Sequence, residues 1–559
     1  MMPNSPRTAR RFVAYLAAAL LAVGLLGGAR AHAGLPCVGD CSGDRLITVD
    51  ELVRGVNIVL GSIAVDECPG FDCNGTGTVT IDCLIQAVNA ALDGCAPAVA
   101  DPTLEGPISG GSGAPFVAAT FFNLAQVGYQ QAEYFYAGTA TAYVNTGALG
   151  TDGRWGVEAG TSAAYKTRML VYRPIDAAAF NGTVLVEWLN VSGGLDSAPD
   201  WISAHTELTR SGYVWVGVSA QLVGVEGGNG GILQASLKKQ DPLRYGSLHH
   251  PGDSFSYDMY SQAAQALRHP AGIDPLAGLA IERVIAAGES QSAFRMVTYI
   301  NAIHPLTHLF DGFLVHSRGG GSAALSEPPQ TRIQTPNGVI VRDDVDVPVM
   351  IFQTETDVLG LGSLAARQPD STHVRLWETA GTAHADTYTL LVGMSDLGNS
   401  PDVAKLVVTA DPIPGIISCS SPLNSGPQHW VLKAAIAALD SWLRDGTAPP
   451  TAPRIAVASG PPSAIQRDAN GNALGGIRTS YVDVPLATLS GEGQSGSGFC
   501  AIFGTTVPFD AEKLQALYPT HADYVAAVVS STDAAVDAGF VLPPDGELIK
   551  TFAENSAEP

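Results

Sequence analysis

The fold of this 559-residue chain is constrained most by one short segment, residues 284–294, which reads Val-Ile-Ala-Ala-Gly-Glu-Ser-Gln-Ser-Ala-Phe. Its first residues have the length and β-branched character of a strand, whereas residues 293–300 have the composition of a helix. Ser290 therefore falls on the turn between them. Gly288 and Ser292, two positions before and after it, are small enough for strand and helix to pack closely while the turn exposes the serine hydroxyl. The pattern predicts a nucleophilic serine.

Two further strand-like segments end in residues that could complete a catalytic triad. Residues 347–354 precede Glu355 and Asp357, and residues 374–378 precede a loop of small residues that carries His384. The order serine, acid, histidine, with each residue after a strand, is that of α/β-hydrolases. We expect His384 to be the base. The acid stays open between Asp357 and Glu355, because a sequence locates a strand end only to within several residues. The usual position, a few residues beyond the strand, favours Asp357.

Two backbone segments could supply an oxyanion hole. Gln291 begins the helix after Ser290, so its N–H group and the positive end of the helix would face a developing negative charge. Residues 189–194 (Leu-Asn-Val-Ser-Gly-Gly) follow another strand-like run, where this fold usually provides the second N–H group. We expect Val191 and Ser192 to provide it. A simple glycine turn is the alternative interpretation of this loop.

The large C-terminal part alternates short apolar runs with helix-like segments. Near-continuous Val, Ile and Leu runs are typical of strands covered on both faces, so we predict an α/β fold of the α/β-hydrolase type with a mostly parallel sheet. A closing helix is predicted over residues 430–444. The predicted strands are residues 167–172, 183–189, 214–219, 284–287, 312–316, 349–353 and 374–378.

The N-terminus has the pattern of a secretory signal peptide. Three arginines precede an apolar run, residues 12–26, and Ala-His-Ala at residues 31–33 forms a small-x-small cleavage site. We expect a signal peptide over residues 1–33, cleavage near Ala33, and a secreted or periplasmic protein. No later segment has the ~20 consecutive apolar residues of a membrane span. The formal charge of −23 argues against nucleic acid or an anionic membrane as partner.

Residues 37–95 contain an internal repeat with a period of 32 residues, in which Asp40 recurs as Asp72 and Leu60 as Leu92. Each copy is a polar loop followed by a helix with apolar residues at i, i+4 and i+8. We expect the two helices to bury these stripes against each other. Residues 34–95 are therefore predicted to be a small all-α module. An Ala/Pro-containing linker, residues 96–102, separates it from the large domain, residues 103–559.

The first loop of the repeat has the ligand spacing of a calcium-binding EF-hand. Oxygen donors fall at positions 1, 3, 5, 7, 9 and 12, although Arg45 replaces the glycine preferred at the sharp turn. In the second loop Cys83 replaces the terminal carboxylate, so we expect that copy to bind calcium poorly or not at all. A helical pair held by disulfides and free of metal is the alternative. The predicted ligands are Asp40, Ser42, Asp44, the Leu46 carbonyl, Thr48 and Glu51.

The cysteines favour export. Six of the eight lie in the N-terminal module, and Cys419 and Cys500 lie far away in the large domain. Because both groups are even, we predict disulfides, including a Cys419–Cys500 bridge that would tie the C-terminal extension to the core. The pairing inside the module stays open. Only Cys83–Cys95 is disfavoured, because twelve residues of helix would hold the two Cα atoms ~18 Å apart.

Several segments together resemble a family of bacterial proteins described only as α/β-hydrolase-domain proteins. They are Gly-Glu-Ser-Gln-Ser-Ala around Ser290, residues 184–194, residues 245–257, Thr-Glu-Thr-Asp at residues 354–357, and residues 380–386. The resemblance continues through residues 500–542 and so covers nearly the whole large domain. It implies a serine hydrolase that cleaves carboxylic esters, with Ser290 as nucleophile and His384 as base, but it supplies no substrate. We expect a small-molecule or polymer ester as substrate and no cofactor for catalysis.

Alternatives remain at this point. An amidase or peptidase would use the same residues. The N-terminal repeat resembles EF-hand loops of the dockerin type, which implies bound calcium and a possible protein partner. A protein of a different class is therefore also conceivable, namely a catalytically inactive, calcium-dependent binding or scaffold-attached protein.

Overall fold

The computed structural model describes residues 37–42, 47–73, 77–93, 99–228, 231, 233–496 and 498–557. It consists of two compact units, Met1–Ala98 and Val99–Pro559, and their boundary falls within the predicted linker. The predicted signal peptide, residues 1–33, lies outside the described residues. So do two of the predicted calcium ligands, Asp44 and Leu46.

The described residues of the N-terminal unit include the helices α1 (Val49–Val59) and α2 (Ile81–Asp93). Disulfides join Cys41 to Cys68 and Cys73 to Cys83. The second bridge agrees with the expectation that Cys83 does not pair with Cys95. It also engages the sulfur that stands at the last ligand position of the second loop.

The two apolar stripes are buried only in part, since Leu52 and Leu84 pack against the core of this unit while the rest of each stripe does not. Phe71, in a short turn, lies against α1 where Gly55 leaves space, since a Cβ atom there would be 2.2 Å from the Phe71 ring. The face of α1 that contains Gly55 and Ile58 is therefore the buried one. Apolar residues of the predicted stripes are correspondingly exposed, namely Val56, Leu60, Val88 and Leu92, with exposures between 43% and 78%.

A nine-stranded sheet forms the centre of the large unit, in the order β1-β2-β3-β5-β4-β6-β7-β8-β9. Strands β4 to β9 pair in parallel, whereas β1, β2 and β3 form an antiparallel edge. The mostly parallel sheet is thus confirmed. The strands are β1 (Thr103–Glu105), β2 (Tyr129–Asn145), β3 (Val157–Pro174), β4 (Thr183–Trp188), β5 (Val214–Val218), β6 (Arg283–Glu289), β7 (Gly312–His316), β8 (Val349–Thr354) and β9 (Val374–Thr379).

Helices cover both faces of this sheet, as the apolar runs predict. Along β6, Val284 and Ala286 face one hydrophobic core, while Ile285 and Ala287 face the other. The helices of the large unit are α3 (Pro199–Arg210), α4 (Leu222–Val225), α5 (Leu237–Gln240), α6 (Pro242–Tyr245), α7 (Ser256–Arg268), α8 (Gln291–Thr298), α9 (His304–Thr307), α10 (Glu355–Leu359), α11 (Gln428–Asp445), α12 (Ser480–Asp483), α13 (Ala511–Leu517), α14 (His521–Asp537) and α15 (Pro543–Asn555).

A C-terminal extension follows α11, the predicted closing helix. It contains two small antiparallel ladders, β10 (Val457–Ala458) with β11 (Ala464–Ile465) and β12 (Ala487–Ser490) with β13 (Thr505–Pro508), before the last helices. The Cys419–Cys500 disulfide is confirmed, with a Cα–Cα distance of 5.5 Å, and it ties this extension to the loop before α11. In the described parts of the chain, no helix has the length and apolar character to cross a membrane.

Candidate active site

Ser290 occupies the turn between β6 and α8. Its backbone has φ 56° and ψ −119°, a conformation that a residue with a side chain adopts only under strain. Its N–H group donates to the His316 carbonyl at the end of β7. Glycine is required at position 288, because a Cβ atom there would lie 2.9 Å from the Ser292 backbone. This close crossing of strand and helix places Ser290 beyond the carboxyl end of β6.

His384 lies in the loop that follows β9 and is oriented by contacts at both ring nitrogens. Its Nε2 is 2.7 Å from Ser290 Oγ, and its Nδ1 is 2.6 Å from Asp357 Oδ1. The imidazole is buried, with 4% exposure, and the Asp357 carboxylate is fully buried. The structure therefore brings three of the predicted site residues into one hydrogen-bonded line.

Glu355 has a different position from the one that a triad acid needs. Thr354 caps α10 by receiving the N–H of Asp357 on its hydroxyl, and Asp357 Oδ2 accepts in return from the Thr354 N–H at 2.7 Å. This reciprocal cap turns the other oxygen of Asp357 toward His384. Glu355 instead accepts from the N–H groups of Gly381 at 2.6 Å and Gly491 at 3.1 Å. It joins the histidine loop to the C-terminal extension.

Other hydrogen bonds hold the same loop and connect it to the extension. Asn424 donates from its side-chain amide to the carbonyls of Gly381 and Ser490. The Thr356 hydroxyl donates to the Gly491 carbonyl and accepts from the backbone N–H of His384. The histidine loop, which is rich in small residues, is thus fixed by hydrogen bonds from outside its own sequence.

A second buried carboxyl group, that of Glu289, lies beside the imidazole. Its Oε1 is 3.4 Å from His384 Nε2, and its Oε2 accepts from the Asn190 side-chain amide at 3.1 Å. Burial raises the pKa of Glu289 to about 7, although His384 and His316 act in the opposite direction. Burial opposes the charged form of His384, but Asp357 and Glu289 outweigh it, so the pKa of His384 is raised.

The predicted oxyanion donors differ in their availability. Gln291 is the first residue of α8, and such a residue has no intrahelical acceptor for its N–H group. The Ser192 N–H group donates to Asn190 Oδ1 at 2.8 Å, so in this structure it is engaged locally. The Val191 N–H group has no partner among the described residues. Gln291 and Val191 are the remaining candidates.

Sequence reasoning missed several buried polar residues behind the serine. His316 Nδ1 lies 2.8 Å from Asp200 Oδ1, and Glu187 accepts from the N–H groups of Asp200 and Trp201. Burial and the nearby Asp200 raise the pKa of Glu187 well above its ordinary range. Charged residues inside otherwise apolar strands were the available signal for Glu187 and Glu289.

The predicted calcium ligands that the structure describes lie close together in the N-terminal unit. Ser42 Oγ donates to Asp40 Oδ1 at 3.3 Å, and Thr48 Oγ1 donates to Glu51 Oε2 at 3.1 Å. Glu51 also accepts the N–H groups of Cys41 and Ser42, which closes the ends of the loop. These are hard oxygen donors of the kind that calcium prefers, so the set fits the ion.

The arrangement around Ser290 can move a proton from a hydroxyl to an imidazole whose positive charge a buried carboxylate stabilises. Together with free backbone N–H groups at the helix start, these are the parts of an acyl-transfer site. The roles of the individual residues stay predictions.

Several solved structures resemble this chain at low sequence identity. A putative dienelactone hydrolase from Klebsiella pneumoniae is 12% identical, with 44% of this chain and 85% of that chain covered and a TM-score of 0.24. A serine hydrolase without a lid from Xanthomonas campestris is 14% identical, with 44% and 86% covered and a TM-score of 0.25. A glucuronoyl esterase from Solibacter usitatus is 11% identical, with 50% and 82% covered and a TM-score of 0.25.

A comparison with curated proteins gave no match. The family comparison is more specific, because the model described as "Alpha/beta hydrolase domain" matches residues 104–551. That match covers most of the chain, including Ser290, Asp357, His384 and the C-terminal extension. The chain therefore belongs to this alpha/beta hydrolase domain family.

Proposed function

We propose that this protein is a secreted serine hydrolase that cleaves carboxylic esters through an acyl-enzyme on Ser290. The observation that carries the proposal is the line of hydrogen bonds from Ser290 Oγ through His384 to Asp357, at 2.7 Å and 2.6 Å. A hydroxyl, an imidazole and a carboxylate in this order are the groups that acyl transfer requires. Membership of a hydrolase family supports it further.

In the first half-reaction, Ser290 Oγ attacks the ester carbonyl carbon and its proton passes to His384 Nε2. Asp357 stabilises the imidazolium, and the N–H groups of Gln291 and Val191 donate to the oxyanion. His384 then protonates the leaving alcohol as the C–O bond breaks, which leaves the acyl-enzyme. Water attacks this acyl group and gives a proton to His384. Ser290 recovers that proton when the carboxylic acid leaves.

The substrate in this proposal is a small-molecule or polymer ester. An amidase or peptidase with the same triad, and an inactive binding protein, are the competing functions. A panel of short and long acyl esters, aryl esters, sugar acetates and amides separates them. Ester turnover supports the proposal, faster amide turnover favours the amidase, and no turnover favours the binding protein.

Secretion is supported by the three disulfides that the structure describes. A protein partner for the N-terminal unit is supported by large apolar side chains that its helices leave exposed. A double variant, Leu60→Glu with Leu92→Glu, should lose binding to such a partner. The wild-type protein and the variant are each screened against the secreted proteins of the source organism. The exposed residues include Val49, Val53, Leu60, Ile81, Ile85 and Leu92.

Ser290→Ala should lower ester kcat by several orders of magnitude, because the covalent route is lost while substrate binding remains. Ser292→Ala is the matched control. Its hydroxyl is buried and has no hydrogen-bond partner within the described part of the chain, so its removal should change kcat little. Initial rates with an aryl ester measure both variants, and equal activity in Ser290→Ala would refute the assignment of the nucleophile.

Asp357→Asn should reduce kcat far more than Glu355→Gln, because only Asp357 contacts His384 Nδ1. Glu355→Gln should mainly lower thermal stability, since its carboxylate joins Gly381, Gly491 and Arg467. Steady-state kinetics and melting temperatures of the two variants give the comparison. A larger loss of kcat in Glu355→Gln would reverse the assignment of the acid.

Glu289→Gln should become more stable relative to the wild type as pH rises. The folded-state pKa of Glu289 is about 7, above its ordinary 4.5. Its contribution to the free energy of unfolding is therefore present in acid and is lost as pH rises toward 7. Complete loss corresponds to about 3 kcal/mol. Denaturant unfolding at pH 5 and pH 8, with disulfides intact, measures this difference. Glu282→Gln, at an exposed side chain, is the control, and an unchanged difference for Glu289→Gln would contradict the burial of its charge.

Calcium is proposed to bind the first loop of the N-terminal unit, with Glu51 as bidentate ligand. Titration of the isolated module, residues 34–98, should give one site that Glu51→Gln abolishes, because Cys83 is held in a disulfide in the second loop. Chelation should leave the ester kcat of the full protein nearly unchanged. Two equal sites would contradict the proposal that the second loop does not bind calcium. Loss of hydrolysis on chelation would contradict the independence of the active site from the N-terminal unit.

A further inference from the structure

Three potential metal ligands meet where the chain enters β7 and β8. His304 begins α9, His308 follows its last residue, and Asp346 lies shortly before β8. His304 Nε2 is 2.9 Å from Asp346 Oδ1, and His308 Nδ1 is 3.1 Å from Asp346 Oδ2. The three ligand atoms lie within 4.8 Å of one another. The segments before β7 and β8, which are distant in sequence, thus bring their potential metal ligands together.

The local backbone explains why both imidazoles face the same carboxylate. The i, i+4 spacing places His304 and His308 on one side of the short helix. His308 has φ 44°, in the left-handed region that is uncommon for residues with a side chain. Such a strained residue is a reason to look for a function at that position.

His304 is also held rigidly. Its ring is 1% exposed and packs edge-on against Phe313, with ring centroids 5.0 Å apart. Among the described residues, the side chain of Asp346 is its one hydrogen-bond partner, since Nδ1 is buried without any. One nitrogen of a fixed ring is therefore directed at the point where the three groups meet.

We propose that His304, His308 and Asp346 bind a zinc ion. Two imidazoles and one carboxylate are the borderline donor set that suits zinc better than calcium or magnesium. Tetrahedral zinc with bonds of about 2.0–2.1 Å places neighbouring ligand atoms about 3.3 Å apart. The observed 2.9 Å and 3.1 Å end on the two different oxygens of Asp346, and the three ligand atoms lie within 4.8 Å of one another. Admitting the ion therefore requires the exposed side chains of His308 and Asp346 to shift toward these bond lengths.

The fourth position is available to water. The side chains of His308 and Asp346 are 48% and 55% exposed, so an ion can enter from solvent on their side. Arg342 is a positive charge that acts on both histidines, but its guanidinium is paired with Asp344 at 2.6 Å and 3.0 Å. Arg154 pairs with Asp343 in the same segment. The local carboxylates thus neutralise the arginines and leave Asp346 as an additional negative charge.

The ion would cross-link two connections without taking part in hydrolysis. One follows the helix that Ser290 begins, and the other is the long segment between β7 and β8. Both lie before the strands start, whereas Ser290 and His384 lie after strands end. Five residues of β7 span about 16 Å between these edges. The site should therefore raise stability and leave kcat unchanged.

Zinc titration of the untagged full-length protein, stripped of metal and supplied with excess calcium, tests the inference. Isothermal calorimetry should give one equivalent in the wild type, with affinity lowered at least tenfold in His308→Asn and in Asp346→Asn. Asparagine tolerates the left-handed backbone at position 308, so the fold should survive. His269→Asn and Asp411→Asn, which alter an exposed histidine and an exposed carboxylate, should bind as the wild type does.

A second measurement distinguishes a bound ion from a loss of folding. Zinc should raise the melting temperature of the wild type and of both controls, but not of His308→Asn or Asp346→Asn, while ester kcat stays the same in all five proteins. X-ray absorption should show two imidazoles at about 2.0 Å. No binding by the wild type, or full binding by His308→Asn and Asp346→Asn, would overturn the proposal, and so would inhibition at one equivalent.

Discussion

The candidate site depends on one buried imidazole held in line between a hydroxyl and a carboxylate that follow three different strands. Ser290 follows β6, Asp357 follows β8 and His384 follows β9. Each hydrogen bond to the ring is 2.7 Å or shorter, so small relative movements of the strands would break the line. Because the groups are shielded from water, the attraction between Asp357 and a protonated His384 is stronger than it would be at the surface. The packing of the sheet thus determines whether the three catalytic groups stay aligned.

The histidine loop, residues 380–386, consists mostly of small residues and has no helix or strand of its own. Its position is set by residues elsewhere, chiefly Glu355 and Asn424, whose side chains bind the backbone of Gly381. Glu355 and Thr356 also hold Gly491, so the C-terminal extension is attached at the same point. The disulfide between Cys419 and Cys500 restrains that extension. The extension therefore helps to hold the loop that carries His384 in position.

Local patterns in the sequence predicted much of this architecture. The parallel strands carry apolar runs, and Ser290 and His384 stand out because small residues surround them. The antiparallel strand β2 was missed, because its Ala, Gly and Thr residues form no continuous apolar run. The choice between Asp357 and Glu355 depends on which carboxylate faces His384. The hydrogen bonds of the Thr354 cap set that orientation in the folded protein. Glu289 acquires its raised pKa only from burial and from neighbours on other strands, which no linear pattern contains.

Mass spectrometry after labelling with a fluorophosphonate tests the central claim most directly, since this reagent reacts with a serine only when a neighbouring base activates it. We expect one adduct per molecule, located on Ser290 by peptide mapping. Labelling should be absent in Ser290→Ala and slowed severely in His384→Ala. An unlabelled wild-type protein of intact fold, or an adduct on a serine other than Ser290, would contradict the account.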